Sequence, residues 1–146
     1  MGARKRLAAE ARKEAKKNIY MARLVDNPTS PRKTRIMADV IRGKDVDYAL
    51  NVLKYSKKES AEKIFKLLKS AIANWQVKNE GARLEDAQLY VKSIVVDSGR
   101  MLKRIRTAPQ GRANRIRKRS NHITIVIDGK NANINNNIVE ETENIK

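Results

Sequence analysis

Residues 99–122 read GRMLKRIRTAPQGRANRIRKRSNH, and this stretch decides the architecture. It holds nine basic side chains (Arg100, Lys103, Arg104, Arg106, Arg112, Arg115, Arg117, Lys118 and Arg119) and no Asp or Glu. Apolar runs flank it at residues 89–96 and 123–127, alternating or β-branched as strands are. Gly99, Pro109 and Gly111 between the runs suit a turn or a bend. The pattern predicts one long β-hairpin, at about residues 94–127, whose outer half has no apolar face to bury. Arms of about a dozen residues, at roughly 3.3 Å per residue, would project the tip some 35–40 Å from the body. A hairpin of this charge does not stand alone in water, so it calls for a polyanion around it. A solvated basic loop is the competing reading. A localisation signal is another, but the cations are spread over two arms instead of forming one short cluster.

Working outward, the charge of +17 is unevenly distributed. Residues 1–17 carry +5 and residues 18–98 also +5, with fifteen basic and ten acidic side chains in the latter. Residues 99–122 carry +9, and residues 123–146 carry −2. The central segment is thus an ordinary globular body, and the excess sits in the hairpin and the N-terminal arm. That layout is an electrostatic footprint for nucleic acid. A membrane surface is disfavoured because the basic stretch lacks the Trp/Phe/Leu face of an interfacial helix, and no apolar run reaches the length of a span. The chain has no cysteine, which rules out disulfides and thiolate metal sites and fits a reducing cytosol. The N-terminus has neither a secretory apolar core nor the acid-poor composition of a transit peptide.

The organisation follows: a basic N-terminal extension at 1–18, a single domain at 19–130 that includes the hairpin, and an acidic, Asn-rich tail at 131–146 expected to be disordered. The extension is rich in helix formers but has only Leu7 as a large apolar side chain beyond the initiator. It is either a frayed tail or a basic arm that becomes helical along phosphates. Residues 19–25 alternate, Tyr20, Ala22 and Leu24 against Met21, Arg23 and Val25, as in a half-buried strand that breaks at Asn27-Pro28. Ser30-Pro31 starts a helix running to Arg42, expected to bury Ile36, Met37, Val40 and Ile41 and to stop at Gly43. Asp45 caps a short helix carrying Val46, Ala49, Leu50 and Leu53. Ser56 with Glu59 predicts a capping box that opens the longest helix, to about Lys78. Trp75 lies on that helix's apolar face, so a core position is favoured over base stacking. Residues 79–86 read as a polar loop. Together the elements predict an α+β fold: three helices packed on a small three-stranded antiparallel sheet, with one long extended basic β-hairpin.

Arg32, Lys33 and Arg35 cluster in the first turns of the Ser30-Pro31 helix. There they oppose the helix dipole, a penalty that a bound phosphate would reverse. His122 is the only histidine and reads as a strand-surface residue. No Walker loop, GxSxG, H-x-E or CxxC occurs, and the acids are dispersed, so no active site, cofactor or metal is expected. The hairpin has no aromatic stacking platform, and Arg-rich arms without aromatics read shape and phosphate. The alternative is an architectural DNA-binding protein using a basic β-arm. Such proteins usually pair through an apolar dimer surface, whereas the apolar positions here are consumed by one monomeric core.

Four stretches then carry a resemblance: TSPRKTRIMADVIRGK (29–44), SAIAN (70–74), LKRIR (102–106) and QGRANRIRKRSNHITIVI (110–127). They resemble the signature stretches of the bacterial large-subunit ribosomal protein twenty-two family, in order and with compatible spacing, over about residues 19–130. The resemblance implies a structural protein of the large ribosomal subunit, cytoplasmic and ribosome-bound, with no enzymatic role. It further implies binding to large-subunit (23S) rRNA early in assembly, contact with several rRNA domains and with neighbouring ribosomal proteins, and no homo-oligomer. By position, Leu102, Lys103, Arg104, Ile105, Arg106, Thr107, Ala108 and Pro109 would form the tip that faces the nascent polypeptide in the exit tunnel. Arg100, Arg112, Arg115, Arg117, Lys118 and Arg119 would clamp rRNA from the arms. Arg32, Lys33, Arg35, Arg42 and Lys44 would contact it from the body. The family commonly has Pro where this chain has Thr107, and the two extensions lie outside its common core.

Overall fold

The strand built from residues 113–129 is the middle of the sheet, because its Ile123, Ile125 and Ile127 alternate and all three are buried. A computed structural model describes residues 2–17, 19–79 and 87–130 of the chain. In order, the elements are α1 (Gly2–Lys17), β1 (Tyr20–Asn27), α2 (Pro31–Ile41), α3 (Val46–Tyr55), α4 (Glu59–Lys78), β2 (Leu89–Thr107), a 3-10 turn (Pro109–Gly111) and β3 (Ala113–Gly129). The sheet is antiparallel with order β1-β3-β2. Helices α2, α3 and α4 cover one face, and their apolar stripes close a single core with Ala22, Val91, Ile94 and the three β3 isoleucines. The α+β reading therefore holds. The acidic tail at 131–146 and the predicted loop beyond residue 79 lie outside the described residues.

Strand β2 keeps its apolar side chains inward only because of a bulge. Leu89 and Val91 are buried, and so are Ile94 and Val96, which strict alternation would put on the opposite face. The register slips between Val91 and Ser93, so Lys92 is the extra residue and the phase is restored. Lys92 then reaches Asp128 at 2.7 Å, which holds its ammonium above the usual lysine range.

Several local expectations are corrected. In α2 the buried side chains are Pro31, Thr34, Met37, Ala38 and Ile41, whereas Ile36 and Val40 are exposed. The inward phase is the one set by Met37 and Ile41, and Thr34 and Ala38 share it although they are less apolar than the residues they displace. The helix ends at Ile41, with Arg42 as its C-cap and Gly43 at φ +71 in the left-handed region that favours glycine. The capping box does not form. Ser56 serves as the C-cap of α3, Lys58 is the N-cap of α4, and Glu59 becomes the first helical residue, pairing with Lys63. Asp45 caps α3 by position only and is spent on an ion pair with Lys130. Strand β1 runs through Asn27 instead of stopping before it, and Asn27 is buried. Trp75 is in the core, 5% exposed and edge-on to Tyr20.

The free edge of β2 next to the body is covered by α2 and the loop after it. Backbone bonds join Gly43 and Lys44 to Val91, Arg42 donates to the Ile94 carbonyl at 3.2 Å, and Arg35 donates twice to the Val96 carbonyl at 3.2 and 3.0 Å. Unpaired strand edges invite association, and this packing removes one.

Candidate nucleic-acid interface

Beyond Ser98 the sheet loses its third strand and continues as a two-stranded ribbon. Residues 101–107 pair with residues 113–119 in register, from Met101 opposite Arg119 to Thr107 opposite Ala113. Nine residues past Ser98 carry the ribbon roughly 30 Å from the body. Thr107 keeps its strand pairing up to the turn, and the Ala108 N–H closes the loop on the Arg112 carbonyl at 2.8 Å. Gln110 and Gly111 both have positive φ there. The apex is thus residues 109–111, and residues 102–107, expected at the tip, form the outer part of one arm.

Cross-strand pairing sorts the cations onto both faces of the ribbon. Arg104, Arg106 and Lys118 share one face with Leu102 and Ile116; Lys103, Arg115, Arg117 and Arg119 share the other with Met101 and Ile105. Lys103 and Arg117 stand directly opposite each other, an arrangement that is unfavourable until an anion lies between or above them. Among the described residues, no carboxylate pairs with any of the nine hairpin cations. The outer half buries no apolar face, as expected: its large apolar side chains stay in the open, Leu102 50% exposed and Ile105 74%. At the root, Arg100, Lys118 and Arg119 line a hollow of about 390 Å³ together with Pro28, Leu102 and one carboxylate, Asp26.

Body cations divide into two kinds. Arg32, Lys33 and Lys44 are exposed with no acid partner among the described residues. Arg35 and Arg42 are held by the fold through the β2 carbonyls, and Arg42 also pairs with Asp39 at 2.7 Å. Replacing Arg35 with Met is therefore expected to lower unfolding stability by about 1 kcal/mol with no RNA present, as read by urea denaturation, because the Val96 carbonyl loses two donors. An unchanged urea midpoint would leave Arg35 without this structural role.

His122 is structural: its Nδ1 accepts the Asp26 backbone N–H at 3.0 Å, where Asp26 adopts a φ of 53. No group of three or more His, Cys, Asp or Glu residues is placed to hold a metal among the described residues, and no described helix is long and apolar enough to cross a membrane. Sequence reasoning missed a buried polar cluster of Asn27, Thr29, Thr34 and Asn121 at the hairpin root. The one available signal was Thr34, which falls three residues before Met37 and four before Ala38 on the inward face of α2.

Helix α1 exposes all of its described side chains, with Lys5, Arg12 and Lys16 on one side and Leu7 and Glu14 on the other. An Arg6–Glu10 ion pair at 3.5 Å is its only internal pair among the described residues. With no stripe to dock, its stability rests on propensity and that one pair.

A family profile described as "Ribosomal protein L22p/L17e" matches residues 22–128, which cover the body and hairpin except for the first two residues of β1 and the last of β3. Three relatives are each named "Large ribosomal subunit protein uL22". The one from Christiangramia forsetii is 62% identical over 131 residues, covering 90% of this chain and 97% of its own. That from Bacteroides fragilis is 57% identical over 137 residues, covering 94% of this chain and all of its own. The Porphyromonas gingivalis protein is 57% identical over 131 residues, covering 90% and 97%. With the match spanning both the core that holds the hairpin and the basic arms themselves, the chain belongs to the ribosomal protein L22p/L17e family.

Proposed function

We propose that this chain is a structural, non-enzymatic constituent of the large ribosomal subunit, bound to cytoplasmic ribosomes, which uses its hairpin to join segments of large-subunit rRNA. The observation that carries the reading is the ribbon beyond Ser98: seven cations on its two faces, with Arg100 at its root and Arg112 at its turn, none with an acid partner among the described residues, held out by a small core. Arg100, Lys103, Arg104, Arg106, Arg112, Arg115, Arg117, Lys118 and Arg119 neutralise phosphates that approach from opposite sides. Arg is suited to this because its planar fork meets phosphate with two parallel hydrogen bonds. Arg32, Lys33 and Lys44 extend the footprint across the body, while Arg35 and Arg42 offer only the donors left over from the β2 carbonyls. Helix α1 adds a further cationic surface that gains order along the same RNA. The chain works as one copy beside neighbouring ribosomal proteins, and its apex, with Ile105 and Arg106 behind it, faces the nascent polypeptide.

A high-salt sucrose gradient of a cell lysate tests this, because any protein of charge +17 adheres to ribosomes at low salt. Wild-type chain is expected in the large-subunit peak at one copy per subunit. A chain truncated between Arg106 and Asn114, which pair across the ribbon, and rejoined by a two-residue turn loses only Arg112 of the nine cations and is expected to stay there while altering nascent-chain stalling. Removing only residues 102–109 is a poorer experiment, since it strands the partners of that arm on β3. Release of the wild-type chain to the top of the gradient, or its migration with the nucleoid, would overturn the reading.

A further inference from the structure

Where β1 ends and the ribbon leaves the body, one amide side chain ties together several elements. Asn121 is fully buried in β3 and pairs across the sheet with Asn27 of β1 and Ser98 of β2. Its Nδ2 donates toward the Thr29 carbonyl at 2.7 Å, Thr29 Oγ1 at 2.9 Å and Thr34 Oγ1 at 3.0 Å. Its Oδ1 accepts from Asn27 Nδ2 at 3.1 Å, and the same Asn27 amide donates to Thr29 Oγ1 at 2.8 Å. Thr29 Oγ1 thus accepts from two amides, so its own proton goes to Thr34 Oγ1, 3.1 Å away. Thr34 in turn donates to the Ser30 carbonyl at 3.2 Å. Every hydroxyl in this chain of donors has one direction open to it. Asn27 Oδ1 is the single buried side-chain atom left without a partner among the described residues.

One step outward, Gly99 and Arg100 on β2 stand against Ser120 alone on β3, a bulge that bends the ribbon. Gly99 is required by the close approach, since a Cβ there would lie 2.7 Å from Ser120 Oγ and 3.2 Å from the Ser120 carbonyl carbon. Ser120 Oγ donates to the Arg100 carbonyl at 2.5 Å and holds the bend. Inward of this point, apolar packing fills the sheet up to Val96 and Ile123. Outward of it nothing covers the ribbon, and two-stranded ribbons twist more freely than sheets.

We propose that Asn121, through Thr29 and Thr34, fixes the angle at which the hairpin leaves the body, so that body and hairpin present their cations as one rigid surface. These are positioning residues: fully or nearly buried, they touch no RNA. The proposal rests on the rRNA-binding reading above. Its advantage is thermodynamic, because a preset angle removes the need to freeze a swinging arm when body and hairpin bind one RNA together.

The absence of cysteine allows a direct test. Spin labels at Asn114→Cys near the apex and Ser70→Cys on α4 report the hairpin–body distance in the full chain. The wild-type background is expected to give one narrow distribution. Asn121→Ser and Thr34→Val are each expected to broaden it at least twofold. They are also expected to weaken binding to transcribed large-subunit rRNA by roughly tenfold with the log–log salt slope unchanged, because every phosphate-binding cation is kept. Ile123→Val, a core change beside the joint, serves as the control and is expected to leave the width as it was. Wild-type width in both joint variants overturns the proposal, as does equal broadening in the control, or a salt slope that falls together with affinity. If Asn121→Ser does not fold, the near-isosteric Thr34→Val decides by the same three readouts. Failure of the wild-type chain to bind the RNA would instead sink the rRNA reading and leave the distance result standing.

Discussion

Replacing Arg115, Arg117, Lys118 and Arg119 together with Gln is expected to make the salt dependence of rRNA binding much shallower. Each neutralised phosphate contributes about 0.9 to the log–log slope, so removing four of these cations would flatten it by roughly 3.6 and weaken binding at 0.1 M salt by about 10³–10⁴-fold. These four side chains lie on the outer arm of β3 and at its root, all exposed and none paired with an acid among the described residues. The substitution therefore leaves the core intact and removes the Lys103–Arg117 repulsion. Stability of the free chain is expected to be unchanged or slightly raised while affinity collapses. Filter binding across a salt series and urea denaturation separate the two effects. A slope within about one of the wild-type value would mean that phosphate is not bound by the arms.

Truncating Ile125 to Ala has the opposite profile. Ile125 is fully buried on the central strand, opposite Ala22 of β1 and Ile94 of β2, with helices packed over that face. Its loss removes transfer free energy and leaves a cavity that three fixed strands cannot close, a cost of about 2–5 kcal/mol. Small domains have only about 5–15 kcal/mol in total, so much of the stability goes with one side chain. The urea midpoint is expected to drop sharply with the slope of the transition preserved. Below that midpoint the salt slope of RNA binding should match the wild type, because every cation is still present. A loss under about 1 kcal/mol would show that the site repacks, and that the core is less tightly determined than its burial implies.

The sequence by itself determined the elements and the charge layout. Alternation at Ile123, Ile125 and Ile127, the Ser30-Pro31 start, and the acid-free run of cations in residues 99–122 are local patterns, and local patterns survive folding. The single core followed from them, and so did the hairpin, although its free ribbon reaches roughly 30 Å instead of 35–40 Å because the third strand stays paired as far as Asn121. What only the tertiary structure decided were the choices between near-equal local options. Ile36 and Val40 are more apolar than Thr34 and Ala38, yet the phase that also buries Met37 and Ile41 put the latter pair inside. Ser56 was a sound cap for α4 until the end of α3 claimed it. Arg35 and Arg42 read as RNA contacts because a sequence does not reveal that an uncovered strand edge, some sixty and fifty residues away in the chain, needs their donors. The joint around Asn121 was least legible of all. Its hydrogen bonds join residues up to 94 positions apart, and polar residues of those types are as common on surfaces as in buried networks. Periodicity reports which way a side chain faces relative to its neighbours. Which polar groups meet once the faces close is set by the packing of distant segments, and here that packing decides the direction in which the cationic arm points.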